Sequence, residues 1–267
     1  MTLHFISGLP RSGSTLLAAL LNQNPKAQAN IISPVAGMVN AILQQGSMSH
    51  ETSVYVSDGY RADMARAAFE NYYFHTLNPG RCYFDTHRSW CAKLPLLKEL
   101  FPSFRMVCCV RDVSWVVDSV ECLTRRNCLQ PSSLFNFRME GTVYDRVDKL
   151  AGSGGLVGFA LNALREACFS EHSDQIMLLT YDTLTTEPHF AMREIERFCG
   201  LAPHDYDIDN VELNSEMFDY IAGTPGLHTV NPRVRPNNRS SILPPDLFKR
   251  FERHSFWKCD DTTVRVV

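Results

Sequence analysis

Nowhere in its 267 residues does this chain carry eighteen consecutive apolar residues, about the minimum for a helix that crosses a bilayer. The sequence therefore offers no membrane span. A basic segment followed by an apolar stretch is also missing, since residues 3–8 read directly as a strand, so no secretion leader is expected. Charge of one sign is lacking too: 26 Lys and Arg face 29 Asp and Glu, a net charge of −3. That balance supplies no global attraction for nucleic acid or anionic lipid, and any phosphate binding must be local. Nine cysteines are present, but without paired metal-ligand spacing, and several fall in core-like runs such as Cys108-Cys109. Buried free thiols in a reducing cytoplasm are the expectation, with no structural or catalytic metal.

What is present is a repeating strand-helix order. Leu3 to Gly8 reads as a hydrophobic strand around Leu3, Phe5 and Ile6, and Ser14 to Asn22 has Leu16, Leu17, Leu20 and Leu21 at helical spacing. Helices are predicted over Val35–Gln45, Tyr60–Leu77, Leu94–Leu100, Ser114–Arg126, Leu156–Glu171, Glu187–Cys199 and Pro244–Phe256. Strands are predicted over Cys82–Asp85, Met106–Val110 and Gln175–Thr180. Met106–Val110 has no polar residue, as in strands buried on both faces. The alternation implies an α/β fold with a central parallel sheet flanked by helices, spanning 1–267 as a single domain. An insertion is expected over 127–155 and a long loop region over 201–243.

The first strand runs into Gly8-Leu9-Pro10-Arg11-Ser12-Gly13-Ser14-Thr15, a glycine-bounded turn that opens a helix. Such a turn aims backbone N–H groups and the positive end of a helix dipole at one spot, where an anion fits. The lysine of a nucleoside-triphosphate loop is replaced by Ser14, and the cation sits inside the loop at Arg11. A phosphate other than a metal-bound triphosphate is the expected ligand.

Pro10-Arg11-Ser12-Gly13-Ser14-Thr15-Leu16 resembles the 5′-phosphosulfate loop of sulfotransferases that use 3′-phosphoadenosine 5′-phosphosulfate (PAPS). A second, independent match is Arg111 at a strand end with Ser119 eight residues later, similar to the family's 3′-phosphate grip. Guanidinium and hydroxyl suit a phosphate monoester. The resemblance implies a three-layer P-loop-like fold, PAPS as co-substrate with no metal, and release of adenosine 3′,5′-bisphosphate (PAP). It implies donor contacts from Pro10, Arg11, Ser12, Gly13, Ser14, Thr15, Arg111, Ser119, Tyr181, Arg233 and Arg239. Arg11 would also stabilise charge on the departing phosphate. Thr86-His87-Arg88 is similar to the segment that carries the base of small-molecule sulfotransferases, although Asp85 replaces its lysine. His87 is thus the expected base, Asp85 its orienter or substitute, and Arg88 a sulfate contact. Glu121 and His228 are further candidates for the base. The glutamate of the protein-tyrosine enzymes has no counterpart in Asn30-Ile31-Ile32-Ser33.

The expected acceptor is a hydroxyl on a small molecule or a peptide tyrosine, walled by segments 45–59, 127–155 and 201–243. Tyr55, Tyr60, Phe135, Phe137, Tyr144, Tyr206, Phe218 and Tyr220 are candidate wall residues. A homodimer is a family-based expectation. Two rival readings are a P-loop kinase with a degenerate loop and a nucleotide-binding regulatory protein without catalysis.

Overall fold

A computed structural model describes residues 2–47, 51–75, 80–138, 141–259 and 262–267. In chain order its regular elements begin with β1 (Thr2–Gly8), α1 (Ser14–Leu21), β2 (Ala27–Ala29), α2 (Ala36–Gln45), α3 (Asp58–Glu70), β3 (Cys82–Thr86) and α4 (Leu94–Leu100). The middle of the chain forms β4 (Met106–Val110), α5 (Val113–Arg126), α6 (Val143–Ala151), α7 (Leu156–Cys168) and β5 (Ile176–Thr180). It closes with α8 (Tyr181–Thr186), α9 (Pro188–Cys199), α10 (Glu216–Ile221), α11 (Pro245–Arg250) and β6 (Arg265–Val266).

Six strands form one sheet in the order β2-β3-β1-β4-β5-β6, and every pair is parallel. Alternation along each strand divides the core in two. Phe5, Met106, Cys108 and Val110 face a cluster with Phe69, Trp90 and Leu164, while Ile6, Val107 and Cys109 face one with Leu17, Leu20 and Ile195. A sheet covered on both faces needs apolar residues at every position, which the fully buried Met106–Val110 supplies.

The register sets where the site can form. Gly8 pairs with Cys109 and Ile6 with Thr86, so β3, β1 and β4 end at nearly one level. The chain leaving them, with the start of α8 beyond β5, meets along the carboxyl edge of the sheet, where ligands of such sheets bind.

Five elements were not expected, α8 directly after β5 among them. β2 is Ala-Gln-Ala, weak in strand propensity, and is held by its pairing to β3. α6 lies inside the 127–155 insertion, with a Thr142–Asp145 capping box and buried Val147 and Leu150. α10 and β6 are short. The helix expected over 60–77 instead starts at Asp58, where the Ser57 side chain caps Tyr60 N–H, and ends at Glu70 before a π-turn over Asn71–His75. Residues 76–79, at its expected end, lie outside the described residues. The helix expected over 244–256 is shortened to α11 and a later 3₁₀ turn, Phe256–Lys258. No helix of the described residues is long and apolar enough to cross a membrane.

One buried group makes stability depend on pH. His4 on β1 is 3% exposed; its Nε2 donates to the Cys199 carbonyl at 3.0 Å and its Nδ1 accepts the Arg105 N–H at 3.0 Å. Both ring nitrogens are used in the neutral form, and burial pushes the pKa from 6.5 down to about 4. The unfolded chain binds this proton between those values and the folded one does not, so stability rises with pH across that window. Urea denaturation at pH 7.5 and 4.5 should show a loss on acidification of at most about 1.4 kcal/mol per pH unit from this group. His4→Gln should reduce that pH difference.

Candidate functional site

The turn after β1 is fixed by its neighbour strand. Gly8 has φ +99°, and a Cβ there would lie 2.2 Å from the Cys109 carbonyl oxygen, so only glycine fits. The same oxygen accepts the Leu9 N–H at 2.9 Å and the Ser12 hydroxyl at 2.8 Å. Ser12 also bonds the Leu9 carbonyl and is 1% exposed. Its hydroxyl braces the loop rather than facing the cleft, unlike the donor contact expected of it. Arg11 takes a left-handed φ of +58° and Gly13 one of +100°; backbone held this way by side chains and neighbours is typical of ligand-binding turns.

A cleft of about 570 Å³ opens above this turn, lined by Pro10, Arg11, Gly13, Ser14, Thr15 and, from the next strand, Arg111. Arg11 Nε donates to Ser119 Oγ at 3.1 Å, and Nη1 donates to the Leu227 carbonyl. The Arg111 guanidinium lies 4.1 Å from the centre of the Tyr181 ring. Burial, reinforced by Arg111, lowers the Arg11 pKa to about 10, and burial lowers that of Arg111. The fold thus joins the two sequence motifs, Arg11 with Ser119 and Arg111 with Tyr181, in one place.

Arg88 and Arg235 also line the cleft. Neither side chain has a hydrogen-bond or ion-pair partner among the described residues, and Arg11 and Arg111 form no ion pair there. Four cations without a paired carboxylate are a site for anions. Among the described residues, no three His, Cys, Asp or Glu side chains gather as a metal site.

His87 and Arg88 follow β3. The Ser7 hydroxyl holds their carbonyls at 2.9 and 3.1 Å. His87 Nδ1 accepts the Ser89 N–H at 3.2 Å and lies 2.6 Å from Ser89 Oγ, which leaves the proton of the neutral ring on Nε2. Burial, aided by Arg88 and Lys93, lowers its pKa to about 4. Asp85 is not brought to His87. Fully buried, it accepts bonds from Tyr73 at 2.5 Å, Ser33 at 2.9 Å and Trp90 Nε1 at 2.7 Å, and burial raises its pKa against those bonds. Because Ser33 in turn caps Ala36 N–H at 2.9 Å, Asp85 anchors α2 to β3.

The basic residues of the late segment divide. Arg233 lines the cleft but pairs with Asp209 at 2.8 Å. Arg239 is absent from the lining and pairs instead with Asp118, over the Trp115 ring. Asp118 is fully buried; burial opposes its charge, yet Arg239, the Ser241 hydroxyl and the Ile242 N–H outweigh that and lower its pKa. A buried carboxylate next to Ser119 thus claims the cation expected at the nucleotide. Glu121 is likewise occupied, by Arg125 at 2.8 Å and Arg146 at 2.6 Å, tying α6 to α5. His228, by contrast, lines the cleft beside Leu227.

Of the aromatic wall candidates, Phe137 and Phe218 reach the cleft, with Ile31, Ile32, Leu134 and Ile221. Phe135 and Tyr206 are buried elsewhere, and Tyr55, Tyr60, Tyr144 and Tyr220 are exposed away from it. Sequence reasoning did not single out Arg235 among its neighbours, nor the apolar pair Ile31 and Ile32.

A family model described as the sulfotransferase family matches residues 4–205. Protein-tyrosine sulfotransferase 2 of Gallus gallus is 24% identical over 221 residues, covering 80% of this chain and 55% of its own length. The protein-tyrosine sulfotransferase of Drosophila melanogaster is 24% identical over 221 residues, at 80% and 41% coverage. The chain spans about half the length of the curated relatives it matches. Among solved structures, a mouse sulfotransferase complexed with PAP aligns with a TM-score of 0.53 at 14% identity, over 97% of this chain and 84% of that one. A retinol dehydratase in a complex with retinol and PAP gives 0.53 at 16% identity, over 99% and 83%. At these identities the structural matches speak for the fold: a parallel sheet covered by helices on both faces.

Gly8→Ala should cost more than about 2 kcal/mol in thermal or urea unfolding, because the clash is with backbone and the φ is left-handed. Gly37→Ala, inside α2 with nothing within 4 Å of the added carbon, should instead gain about 0.5–1 kcal/mol.

Proposed function

This chain belongs to the sulfotransferase family, and on that premise we propose that it transfers a sulfuryl group from PAPS to a hydroxyl acceptor, releasing PAP. The observation that carries the reading is the convergence of the 10–15 turn with Arg111 and Ser119 on one cleft rich in unpaired cations.

The 5′ end of the donor would lie over the turn, held by the Ser14 and Thr15 hydroxyls, the N-terminus of α1 and Arg11. The 3′-phosphate would take Arg111 and Ser119, with Arg233 or Arg235 closing from the late segment. Arg11 bonds Ser119 in this structure, so it stands between the two subsites and can answer charge at either. During transfer, charge builds on the oxygen that bridges sulfur and phosphate; preorganised guanidinium and N–H groups favour that state over the ground state. Arg88 is free to meet the sulfuryl oxygens. The Arg111 guanidinium sits over the Tyr181 ring, 4.1 Å from its centre, a cation–π contact that would help to hold it in place.

The acceptor side is apolar. Ile32, Leu134, Phe137, Phe218 and Ile221 line it, which supports an acceptor whose hydroxyl is carried on an apolar or aromatic body. A small alcohol or phenol and a peptide tyrosine both meet that description. A kinase reading is less well supported, because Ser14 replaces the loop lysine that reaches the outer phosphates. The cytoplasmic reading is supported by the cysteines: all nine are free thiols, the exposed Cys128 and Cys259 included, as suits a reducing compartment.

Calorimetric titration with PAP, AMP and Mg·ATP tests the donor site. PAP should bind with clear preference for the 3′-phosphate, and Arg111→Ala and Ser119→Ala should each lose about 1–3 kcal/mol of binding, the worth of a charged hydrogen bond. Equal affinity for AMP and PAP would remove the reading.

A further inference from the structure

The segment after α10 folds back so that His228 meets Asp219. The imidazole Nδ1 lies 2.6 Å from Asp219 Oδ1, and the His228 backbone N–H donates to Oδ2 at 2.9 Å. Asp219 is 2% exposed, and its backbone carbonyl accepts the Thr224 N–H at 2.9 Å. The Phe218 ring stands edge-on to the imidazole, 5.1 Å between centroids. An ionised carboxylate only accepts, so Nδ1 must carry the proton and Nε2 holds the free lone pair. That is the tautomer of a general base. His87 has the opposite one, with Nδ1 as the acceptor of the Ser89 N–H, so its Nε2 can donate a proton but not take one.

Position agrees with tautomer. The Leu227 carbonyl, one residue before His228, accepts from Arg11, which ties the dyad to the phosphate turn. His228 lines the cleft with Arg11, Arg88 and the apolar residues Ile221 and Leu227.

We propose that His228, oriented by Asp219, is the general base of this site, a role that rests on the sulfotransferase reading above. As the acceptor oxygen attacks sulfur, its proton passes to His228 Nε2. The new O–S bond forms from the oxygen's electron pair. The bond from sulfur to the bridging phosphate oxygen breaks, and its pair leaves on the 5′-phosphate of PAP. The imidazolium, paired with Asp219, then returns the proton to solvent. No further reactant is required. The charged groups that face the ring are Asp219 from α10, Arg11 from the phosphate turn and Arg88 from the end of β3. Burial lowers the imidazole pKa, Arg11 and Arg88 add to this, and Asp219 opposes it; the net shift keeps the ring neutral and able to accept at pH 7.

Two measurements on the whole chain test the assignment. Long-range proton–nitrogen correlation spectra of ¹⁵N-labelled protein, assigned with His228→Gln and His87→Gln, should show His228 protonated on Nδ1 and His87 on Nε2. PAPS consumption should be followed with 2-naphthol as probe acceptor and with water alone. His228→Gln should lower the rate by about 10²–10⁴-fold while PAP affinity stays within about threefold and the unfolding midpoint is kept. The fall in rate toward low pH should disappear with it. Asp219→Asn, which offers Nδ1 a donor, should move the proton to Nε2 and lower the rate as well. A His228 ring protonated on Nε2 in the wild type, or PAPS turnover by His228→Gln within threefold of wild type, would overturn the proposal alone. Absence of PAP binding by the wild type would overturn the donor reading and the base with it.

Discussion

The carbonyl of Cys109 joins the two halves of the site. It lies in the strand that leads to Arg111, and it accepts the Leu9 N–H and the Ser12 hydroxyl from the other half. Gly8 must pass so close to it that no side chain can be present. The phosphate turn is therefore built onto β4 as much as onto β1, and the distance between its amides and Arg111 is set by one sheet spacing rather than by loop conformation. Arg11 can then bridge to Ser119 on α5 without a long reach. Catalytic groups on rigid elements hold their geometry better than groups on loops, and here the loop borrows its rigidity from a strand.

Charge is distributed to match. Outside the cleft, the two buried carboxylates of α5 are given cations: Asp118 has Arg239, and Glu121 has Arg125 and Arg146. Inside it, Arg11, Arg88, Arg111 and Arg235 have no ion pair among the described residues. Asp219, whose charge reaches Arg11, turns its carboxylate toward His228. Burial holds both Arg11 and Arg111 below the usual arginine range, and the charge of Arg111 adds to this at Arg11.

Much of this was legible in the sequence, and the failures share a cause. The strand-turn-helix over residues 3–21 could be read because the backbone of such a turn demands glycine at Gly8 and Gly13, whereas the Arg111–Ser119 spacing was read from its resemblance to the family. β4 could be read because burial on both faces leaves an unbroken apolar run. Ala27–Ala29 could not, because its strand character comes from its partner. The Thr142–Asp145 capping box was a readable signal for α6 inside a segment that otherwise looks like an insertion. Among the side chains, Ser12, Asp85 and Arg239 were expected at the site, yet their bonds go to Cys109, to Tyr73 and Trp90, and to Asp118. A motif fixes where the backbone goes; which way a polar side chain turns depends on neighbours distant in the chain. His228 shows the converse, since nothing in Leu227-His228-Thr229 reveals that Asp219 lies against it.

Three consecutive duties fall on one stretch of α5. Asp118 latches the late segment through Arg239 and Ser241, Ser119 meets Arg11, and Glu121 holds α6 through Arg146. Each residue advances a helix by about 100°, so these duties point in fixed directions relative to one another. Adding or deleting a single residue between Val113 and Asp118 would swing all three away from their partners at once. The helix thus acts as an indexing shaft, whose length up to Asp118 sets the directions in which the late segment, the turn after β1 and α6 are met.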